Sequence, residues 1–475
     1  RLVKETSCRM SVPSRQAPSS TSSSMSTPLV GGDLLSNIPE ITATASYQGV
    51  QQNVRVNATG MYIQDLFLSA DDVSGIQEGQ SSTIHVHAYP YKTAGCSGSR
   101  QRNYRRHDLF FSDRNQHYLN IMHNWKTIWS RRDGMRYMVL VNPFGGQKKG
   151  GEIFNEVVKP LLLQSTSRFE AVFTTHAGHA REVAAALVLA DYDGIILVGG
   201  DGLVSEMVQG LLARPDSNQA ARVPIGVVPA GTGNGLVKSL LSTAGDHHDP
   251  LSAMLAILRC RPSPLDVGLV IQDGIVKYRS VLSWAWGLVS DSDIEADALR
   301  CCCGPIRATL QGVVNIFRRR VYNGTLKLRL APSDVNSSSQ EWVTISDRFL
   351  LIWAMNVPYA ASDLQVAPKA SQNDGSFDVV VIRSRVSRLQ MIQIFLEVES
   401  GKHLRHEYVE YYKVREMLWE PACDKGIVCI DGELAAASDR CRSALPSMHQ
   451  DKQLAMSYSA MTLQVSSGQL SCWMP

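Results

Sequence analysis

The sequence lacks any long apolar run and any strong charge imbalance. No stretch of its 475 residues approaches the roughly 20 apolar residues that a membrane-spanning helix requires. The formal net charge of +3 is too close to neutral to indicate nucleic acid as a partner. With 44% hydrophobic and 19% charged residues, the composition is that of an ordinary globular protein.

The sequence also lacks paired cysteine motifs, although it contains ten cysteines. No Cys-x-x-Cys pair occurs, whereas zinc sites need ligand pairs with a short spacer. The adjacent Cys301–Cys303 triplet leaves palmitoylation or redox chemistry open as alternatives. We therefore expect reduced cysteines and a cytoplasmic protein.

Composition and hydrophobic pattern divide the chain into four segments. Residues 1–40 are rich in Ser, Thr and Pro, which predicts disorder. Residues 41–134 carry strand-like runs followed by a helix-like stretch, which predicts a small β-rich module, with a pleckstrin-homology-like module as one interpretation. Residues 135–264 alternate short aliphatic runs with helical spacing, which predicts an α/β nucleotide-binding domain on a parallel sheet. Residues 265–475 carry strands and turns, which predict an antiparallel β-sandwich domain. Its predicted elements include a hairpin at Asp273-Gly274, a buried strand at Val281–Val289, and strands at Phe377–Arg383 and Ile427–Ile430.

A group of basic residues lies in the predicted N-terminal module, at Arg100, Arg102, Arg105 and Arg106. One interpretation is contact with an anionic membrane surface. The other is a solvated loop.

Three glycine-bearing loops follow strand-like runs of the predicted parallel sheet, at 142–150, 198–202 and 229–235. Glycine exposes main-chain N–H groups at a strand–helix junction, where they bind phosphate oxygens. The third loop departs from the dinucleotide pattern, because Leu236 occupies the position of the required third glycine. The loops therefore favour a nucleotide and disfavour a nicotinamide cofactor.

One carboxylate, Asp201, stands among the glycines of the second loop. An acid beside phosphates is unfavourable unless it holds a metal ion or receives a proton. Asp201 is therefore a candidate Mg²⁺ ligand or general base, with a helix N-cap as the structural alternative. Glu206, one turn further on, is a candidate to support either role.

The three loops read Asn142-Pro143-Phe144-Gly145-Gly146, Gly199-Gly200-Asp201-Gly202 and Pro229-Ala230-Gly231-Thr232-Gly233-Asn234. These residues closely resemble the loops of the lipid kinases of the diacylglycerol-kinase and sphingosine-kinase superfamily. The resemblance runs from about residue 136 to 435 and implies a phosphofructokinase-like α/β domain that uses ATP and Mg²⁺. It implies a catalytic Asp201, metal binding by Asp201 and Asp431, and nucleotide contacts at Asn142, Phe144, Gly145, Gly146, Thr174, Gly199, Gly200, Gly202, Glu206, Gly231, Thr232, Gly233, Asn234, Arg300, Arg307, Asp431, Gly432 and Glu433.

A segment of the β-rich half narrows the resemblance from the superfamily to its sphingosine kinases. Residues 283–295, Ser-Trp-Ala-Trp-Gly-Leu-Val-Ser-Asp-Ser-Asp-Ile-Glu, resemble the part of sphingosine kinases that recognises the lipid head group. The resemblance implies that Asp293 contacts the amino alcohol, with Leu288 and Ser290 as further substrate contacts. A carboxylate within about 4–6 Å favours the ammonium that sphingosine carries. Gln147 and the Cys301–Cys303 triplet depart from the family pattern near the first loop and near Arg300.

These observations predict an ATP-dependent kinase that phosphorylates the primary hydroxyl of sphingosine or a related sphingoid base. The alternatives are a ceramide or diacylglycerol kinase, a soluble NAD kinase or phosphofructokinase-like enzyme, and a catalytically silent lipid-binding scaffold. Because the substrate partitions into bilayers, we expect peripheral membrane association through a lipid-binding β-sandwich domain. The oligomeric state stays open, with a homodimer as one alternative.

Overall fold

The computed structural model describes residues 40–80, 82–91, 102–112, 116–128, 134–146, 148–296, 307–332, 342–446, 449 and 453–473. The predicted disorder of residues 1–40 therefore lies outside the described residues, apart from Glu40. Arg100, Arg300 and the Cys301–Cys303 triplet lie outside them too. Within the described ranges, no helix is long and apolar enough to cross a membrane.

The N-terminal module is an antiparallel sheet covered by one helix. Its strands lie in the order β4-β3-β2-β1-β7-β6-β5. Tyr118, Ile121 and Trp125 of the helix pack into the apolar face of the sheet. The predicted β-rich extension is thus confirmed. The elements are β1 Ile41–Tyr47, β2 Val50–Asn57, β3 Gly60–Ile63, β4 Leu66–Ser69, a 3₁₀ turn at Ala70–Asp72, β5 Val73–Glu78, β6 Thr83–Ala88, β7 Arg105–Phe110 and α1 Gln116–Ile128.

A buried ionic cluster joins this module to the next domain. The Arg102 guanidinium lies 2.5 Å from a carboxylate oxygen of Asp72 and 3.0 Å from one of Asp246, with 2% of its side chain exposed. Arg259 binds the other oxygen of Asp246 at 2.9 Å. Arg102 also lies 3.9 Å from the centre of the Tyr91 ring. Both sequence interpretations of the basic group, a membrane contact and a solvated loop, are therefore wrong for Arg102, because it pairs with acids distant in sequence.

The nucleotide-binding domain is a parallel sheet between two layers of helices. Its strands lie in the order β9-β8-β10-β11, and all pair in parallel. The strands are buried aliphatic runs, and helices cover both faces, as predicted for an α/β domain. The elements are β8 Arg136–Val141, α2 Gly150–Ile153, a π turn at Phe154–Val158, α3 Lys159–Gln164, β9 Arg168–Phe173, α4 His179–Ala186, a 3₁₀ turn at Leu189–Asp191, β10 Gly194–Gly199, α5 Asp201–Leu212, α6 Ser217–Ala220, β11 Ile225–Pro229, α7 Gly235–Thr243 and α8 Pro250–Leu258.

The C-terminal half is a β-sandwich, as predicted, and helices pack against one outer face of it. It begins with the predicted hairpin, in which Asp273 and Gly274 both take positive φ, as a two-residue type I′ turn requires. The elements are β12 Pro262–Gln272, β13 Ile275–Ser280, β14 Ser283–Gly287, α9 Leu288–Ala296, α10 Arg307–Arg318, β15 Tyr322–Leu330, β16 Trp342–Met355, β17 Phe377–Arg383, α11 Arg388–Glu397, 3₁₀ turns at Val398–Ser400 and Lys402–Arg405, β18 Val409–Pro421, β19 Ile427–Ile430, β20 Glu433–Ala437, α12 Asp439–Arg442 and β21 Met461–Trp473.

Long strands close the sandwich and connect it to the nucleotide-binding domain. Strands β16 and β18 each pair with β15 along one half and with β17 along the other. Trp284, Trp286 and Trp419 fill the interior, with ring centres 5.1 to 5.5 Å apart. The last strand, β21, pairs with β12 and also meets β11 in parallel, so the sheet is continuous across the two domains.

Candidate active site

The three glycine loops meet at the carboxyl end of the parallel sheet. A Cβ atom added to Gly146 of the first loop would lie 2.8 Å from the main-chain carbonyl carbon of Gly231. A Cβ atom on Gly231 of the third loop would lie 2.6 Å from the Cα of Gly200. Real Cβ atoms do not approach so closely, so the backbones touch only because side chains are absent. The loops therefore form one surface, as a shared nucleotide site requires.

The first loop is shaped by Asn142. Its Oδ1 accepts hydrogen bonds from the main-chain N–H groups of Phe144 at 2.9 Å and Gly145 at 3.0 Å, which is an Asx turn. Gly146 then takes a φ of +57°. The Phe144 ring projects into solvent, with 63% of the residue exposed. An exposed aromatic ring beside a phosphate-type loop is suited to contact a nucleotide base.

Asp201 links the second loop to the third. It is the first residue of α5, and its carboxylate accepts hydrogen bonds from the main-chain N–H groups of Gly235 at 2.9 Å and Leu236 at 3.1 Å. Asp201 thus binds the first turn of α7, and no side-chain hydrogen bond caps its own helix. Burial raises the pKa of Asp201 to about 6 and the charge of Asp431 adds to the rise, while the N–H donors oppose it. A carboxyl with this pKa can accept a proton near neutral pH.

The third loop is held from both domains. Asn234 takes a φ of +55°, and its side chain bonds both the N–H of Gly231 at 3.0 Å and its carbonyl oxygen at 2.8 Å. The Gly233 carbonyl accepts from the N–H of Ser362 in the β-sandwich at 2.8 Å. Thr232 is exposed at the tip of the loop. The C-terminal domain therefore helps to set the shape of this loop.

Two predicted nucleotide contacts lie beside the loops. Thr174 is buried directly after β9, and its N–H donates to the Val141 carbonyl at 2.9 Å. Glu206 accepts from the N–H groups of Gly178 at 2.9 Å and Ala180 at 3.3 Å at the start of α4. Glu206 therefore orders α4, and its contact with a nucleotide stays a prediction.

The two acids of Asp431-Gly432-Glu433 face different parts of the site. Asp431 is 3% exposed, and its carboxylate accepts hydrogen bonds from the turn at residues 280–283. Burial raises the pKa of Asp431. Gly432 takes a φ of +79°. Glu433 Oε1 lies 3.4 Å from the place that a Cβ atom on Gly202 would occupy, so this carboxylate borders the second loop.

The acidic side chains suit a metal ion that arrives with the nucleotide. In the described part of the chain, no group of three or more His, Cys, Asp or Glu side chains is arranged to hold a metal ion. Phosphoryl-transfer enzymes usually hold Mg²⁺ through one or two carboxylates together with the substrate phosphates. Asp201 and Glu433 border the second loop and match such a donor set, whereas Asp431 points to the 280–283 turn.

The predicted substrate residues lie on α9, directly after β14. Ser290 is fully buried, and its hydroxyl donates to the Ala285 carbonyl at 2.7 Å, so it stabilises the start of the helix. Leu288 lines a small recess, together with Ile316, Leu350 and Met391. Asp293 lies on the exposed face of the helix. Of the three predicted substrate residues, only Asp293 is exposed, whereas Leu288 and Ser290 are buried.

Sequence reasoning missed the buried neighbour Asp291. It is 1% exposed and accepts hydrogen bonds from the Tyr322 hydroxyl and, at 3.2 Å, from Arg320. Burial raises its pKa to about 6, while Tyr322 and Arg320 oppose the rise. Glu295 on the same face binds Arg318 at 3.0 Å. The spacing of Asp291 and Glu295 could have revealed this pair, because residues four apart share a helix face. Asp293, which lies between them in sequence, is on another face.

Two predicted phosphate contacts have no described side chain. Arg307 is the first residue of α10, but its side chain lies outside the described residues. Arg300 lies outside them entirely. Their roles stay predictions.

Comparison with known proteins agrees with this geometry. Residues 136–270 match the diacylglycerol kinase catalytic domain, and residues 326–450 match the YegS C-terminal NAD kinase beta sandwich-like domain. Sphingosine kinase 2 of Arabidopsis thaliana is 33% identical over 87% of this chain and 91% of its own length. Sphingosine kinase 1 of Homo sapiens is 31% identical over 63% of this chain and 86% of its own length. The chain belongs to the sphingosine kinase family. The predicted sphingoid-base lipid kinase is thus confirmed.

The fold has counterparts among solved structures. A diacylglycerol kinase structure from Bacillus anthracis aligns with a TM-score of 0.51 and 20% identity, over 72% of this chain and 97% of that one. At this identity the likeness concerns the fold alone. The predicted two-domain architecture is thereby confirmed.

Proposed function

We propose that this enzyme transfers the γ-phosphoryl group of ATP to the primary hydroxyl of sphingosine or a related sphingoid base, with Asp201 as general base. The carboxylate takes the hydroxyl proton as the oxygen bonds to the γ-phosphorus, and the bond from that phosphorus to the bridging oxygen breaks to release ADP. The observation that carries the proposal is the position of Asp201, which lies between two glycine loops and is held by the N–H groups of Gly235 and Leu236. Its pKa of about 6 leaves it largely ionised at neutral pH.

The three loops would hold the phosphates of ATP through main-chain N–H groups. Phosphoryl transfer of this kind depends on positioning and on neutralising charge on the transferred group. Mg²⁺ bound with ATP would supply that neutralisation, with Asp201 and Glu433 as the acidic side chains at the loop. Asp431, a metal ligand by the sequence prediction, accepts hydrogen bonds from the 280–283 turn.

Asp293 would bind the ammonium of the base. It lies on the exposed face of α9, while Asp291 and Glu295 on another face bind arginines. A neutral ceramide or diacylglycerol head group offers no charge for such a carboxylate. The arrangement therefore supports an amino alcohol over these two alternatives.

Peripheral attachment to a membrane would deliver the lipid. On α10, Leu310, Val314 and Phe317 share one face and are 44%, 41% and 56% exposed. On the neighbouring α11, Leu389 and Leu396 are 76% and 71% exposed. Arg388 lies beside Phe317, because its Nε donates to the Phe317 carbonyl at 2.9 Å. We call these exposed apolar residues and Arg388 the α10–α11 surface. Exposed apolar side chains with a basic residue beside them suit the boundary of an anionic bilayer, and we propose that the enzyme docks there from the cytoplasm.

A substrate panel tests the reaction. With ATP and Mg²⁺, we expect phosphorylation of sphingosine, dihydrosphingosine or phytosphingosine, and little of ceramide or diacylglycerol. Asp201→Asn should reduce kcat by about 100- to 10,000-fold, since a general base contributes that much. The matched control is Asp273→Asn, because Asn-Gly suits the β12–β13 turn as well as Asp-Gly does. Undiminished turnover in Asp201→Asn contradicts the mechanism, and a wild type silent toward every base favours a lipid-binding scaffold.

Two further variants separate substrate binding from membrane docking. Asp293→Asn should mainly raise the KM for sphingosine, and an unchanged KM with lost turnover contradicts ammonium recognition. Replacing Phe317, Leu389 and Leu396 together by serine should weaken sedimentation with phosphatidylserine vesicles. Val50→Ser with Phe67→Ser is the control, because these residues are 59% and 44% exposed on the N-terminal module. Equal vesicle binding by both variants contradicts docking through the α10–α11 surface.

A further inference from the structure

We infer that Asp431 is a positioning residue that fixes the turn at residues 280–283, and thereby holds the β-sandwich against the helix that begins with Asp201. The inference deepens the proposed kinase function and rests on it. It assigns Asp431 a role different from the metal ligation that family resemblance implies.

The Asp431 carboxylate is nearly saturated by donors of this turn. Its Oδ1 accepts from the Ser280 hydroxyl at 2.7 Å and from the N–H groups of Leu282 at 2.9 Å and Ser283 at 3.0 Å. Its Oδ2 accepts from the N–H of Val281 at 3.2 Å. A carboxylate offers about four acceptor positions, two on each oxygen. Oδ1 is therefore fully occupied and Oδ2 keeps one acceptor position, so direct metal binding is confined to one oxygen of a group that is 3% exposed.

The main chain around Asp431 is built for this contact. The N–H of Asp431 donates to the Ser283 carbonyl at 2.8 Å, while the Ser283 N–H donates to the Asp431 carboxylate. Asp431 holds a φ of +52°, which a residue other than glycine rarely adopts. The four hydrogen bonds that the carboxylate accepts from the turn offset this backbone cost.

The 280–283 turn comes directly after β13. This strand contacts α5, the helix that begins with Asp201. On β13, the Tyr278 hydroxyl bonds the Ser205 hydroxyl of α5 at 2.7 Å. The next residue, Arg279, bonds the Gln209 side chain through its carbonyl at 2.6 Å and its N–H at 3.2 Å. Ser205 and Gln209 are four residues apart, so they lie on one face of the helix that starts at Asp201.

Asp431 therefore connects two contacts along one face of α5, because Gly202, Ser205 and Gln209 are three and four residues apart. Through the 280–283 turn it is joined to the Tyr278 and Arg279 contacts with Ser205 and Gln209. Through the chain turn at Gly432 it is joined to Glu433, which borders Gly202, the second residue of α5. Loss of the Asp431 carboxylate would release both contacts together, and with them the position of Asp201 relative to the bound lipid.

The test compares Asp431→Asn with Ser280→Ala and Tyr278→Phe, which remove hydrogen-bond partners but no potential metal ligand. The readouts are the melting temperature without nucleotide or metal, kcat, and the Mg²⁺ concentration that gives half-maximal activity. We expect Asp431→Asn to lower the melting temperature and to reduce kcat by about 100-fold, since small misplacement of a reacting group has such effects. Ser280→Ala and Tyr278→Phe should change both in the same direction but less, and the Mg²⁺ requirement should stay the same in all three. Asp273→Asn is the control for the Asp-to-Asn change.

A metal-ligand role predicts the opposite pattern. Asp431→Asn would then raise the Mg²⁺ concentration that gives half-maximal activity about tenfold or more, while the melting temperature stays unchanged. That result would overturn the inference. If Asp431→Asn does not fold, Ser280→Ala and Tyr278→Phe decide, and wild-type melting and kcat in both would overturn it. Failure of the proposed function looks different, because a wild type inactive toward all bases leaves the melting comparison intact.

Discussion

Replacing Arg102 by alanine should loosen the N-terminal module from the nucleotide-binding domain. The guanidinium is almost completely buried and contacts Asp72, Asp246 and, at 3.0 Å, the Tyr89 carbonyl. Its removal leaves Asp246 without one partner in a place where 8% of that side chain is exposed. An uncompensated buried charge is the reason that breaking such a pair is costly.

The size of the effect depends on the partners that Asp246 and Asp72 keep after Arg102 is removed. Breaking a buried ion pair costs about 3–5 kcal/mol. Asp246 keeps the Arg259 guanidinium at 2.9 Å and the Tyr91 hydroxyl at 2.6 Å. Asp72 is 24% exposed and can be solvated. The cost should therefore lie at the lower end, about 3 kcal/mol, which corresponds to a change of roughly 100-fold in the equilibrium for opening the interface.

Hydrogen–deuterium exchange measures this opening directly. Amides of β5 and β6, next to the interface, should exchange roughly 100-fold faster in Arg102→Ala, while those of β10 and β11 keep their wild-type rates. Arg55→Ala is the matched control, because the Arg55 pair with Glu40 is 3.8 Å long and about half exposed, and such pairs contribute at most about 1 kcal/mol. Exchange in Arg102→Ala no faster than in Arg55→Ala would refute the argument.

Three further predictions concern the active site. Because burial raises the pKa of Asp201 to about 6, the protonated form cannot act as a base, and kcat/KM should fall about tenfold per pH unit below that pH; a flat profile down to pH 5 would contradict it. Gly231→Ala should raise the KM for ATP, because its Cβ atom would lie 2.6 Å from the Gly200 Cα. Gly151→Ala is the control, because a Cβ atom there meets open space and ATP should bind normally. Equal KM values for ATP in the two variants would contradict the contact between the loops. Tyr322→Phe should lower the melting temperature, since a hydrogen bond to the buried Asp291 is worth about 1.5–3 kcal/mol, and an unchanged melting curve would count against that bond.

The elements themselves were largely predictable from local sequence. The strands Phe377–Arg383 and Ile427–Ile430 have the predicted bounds, and the hairpin forms at Asp273 and Gly274. The predicted apolar strand at residues 281–289 is wrong at its end, because α9 begins at Leu288. An apolar run does not distinguish a buried strand from the buried start of a helix, so its length misleads.

The sequence alone also identified the loops, since Asp201 and its glycines are contiguous and their spacing reflects a local backbone requirement. It singled out Asp293 only through the family resemblance of residues 283–295. These features depend on residues near one another in the chain, where dihedral preferences and spacing carry the information.

The tertiary structure decided which partner each charged group has. Asp201 binds the start of α7, Asp431 closes the turn at residues 280–283, and Arg102 pairs with Asp246, more than a hundred residues away. The terminal strand β21 joins the sandwich to the nucleotide-binding sheet in the same way. No local pattern encodes these pairings, because hydrogen bonds and ion pairs form between groups that folding brings together, and burial then sets their pKa values and their roles.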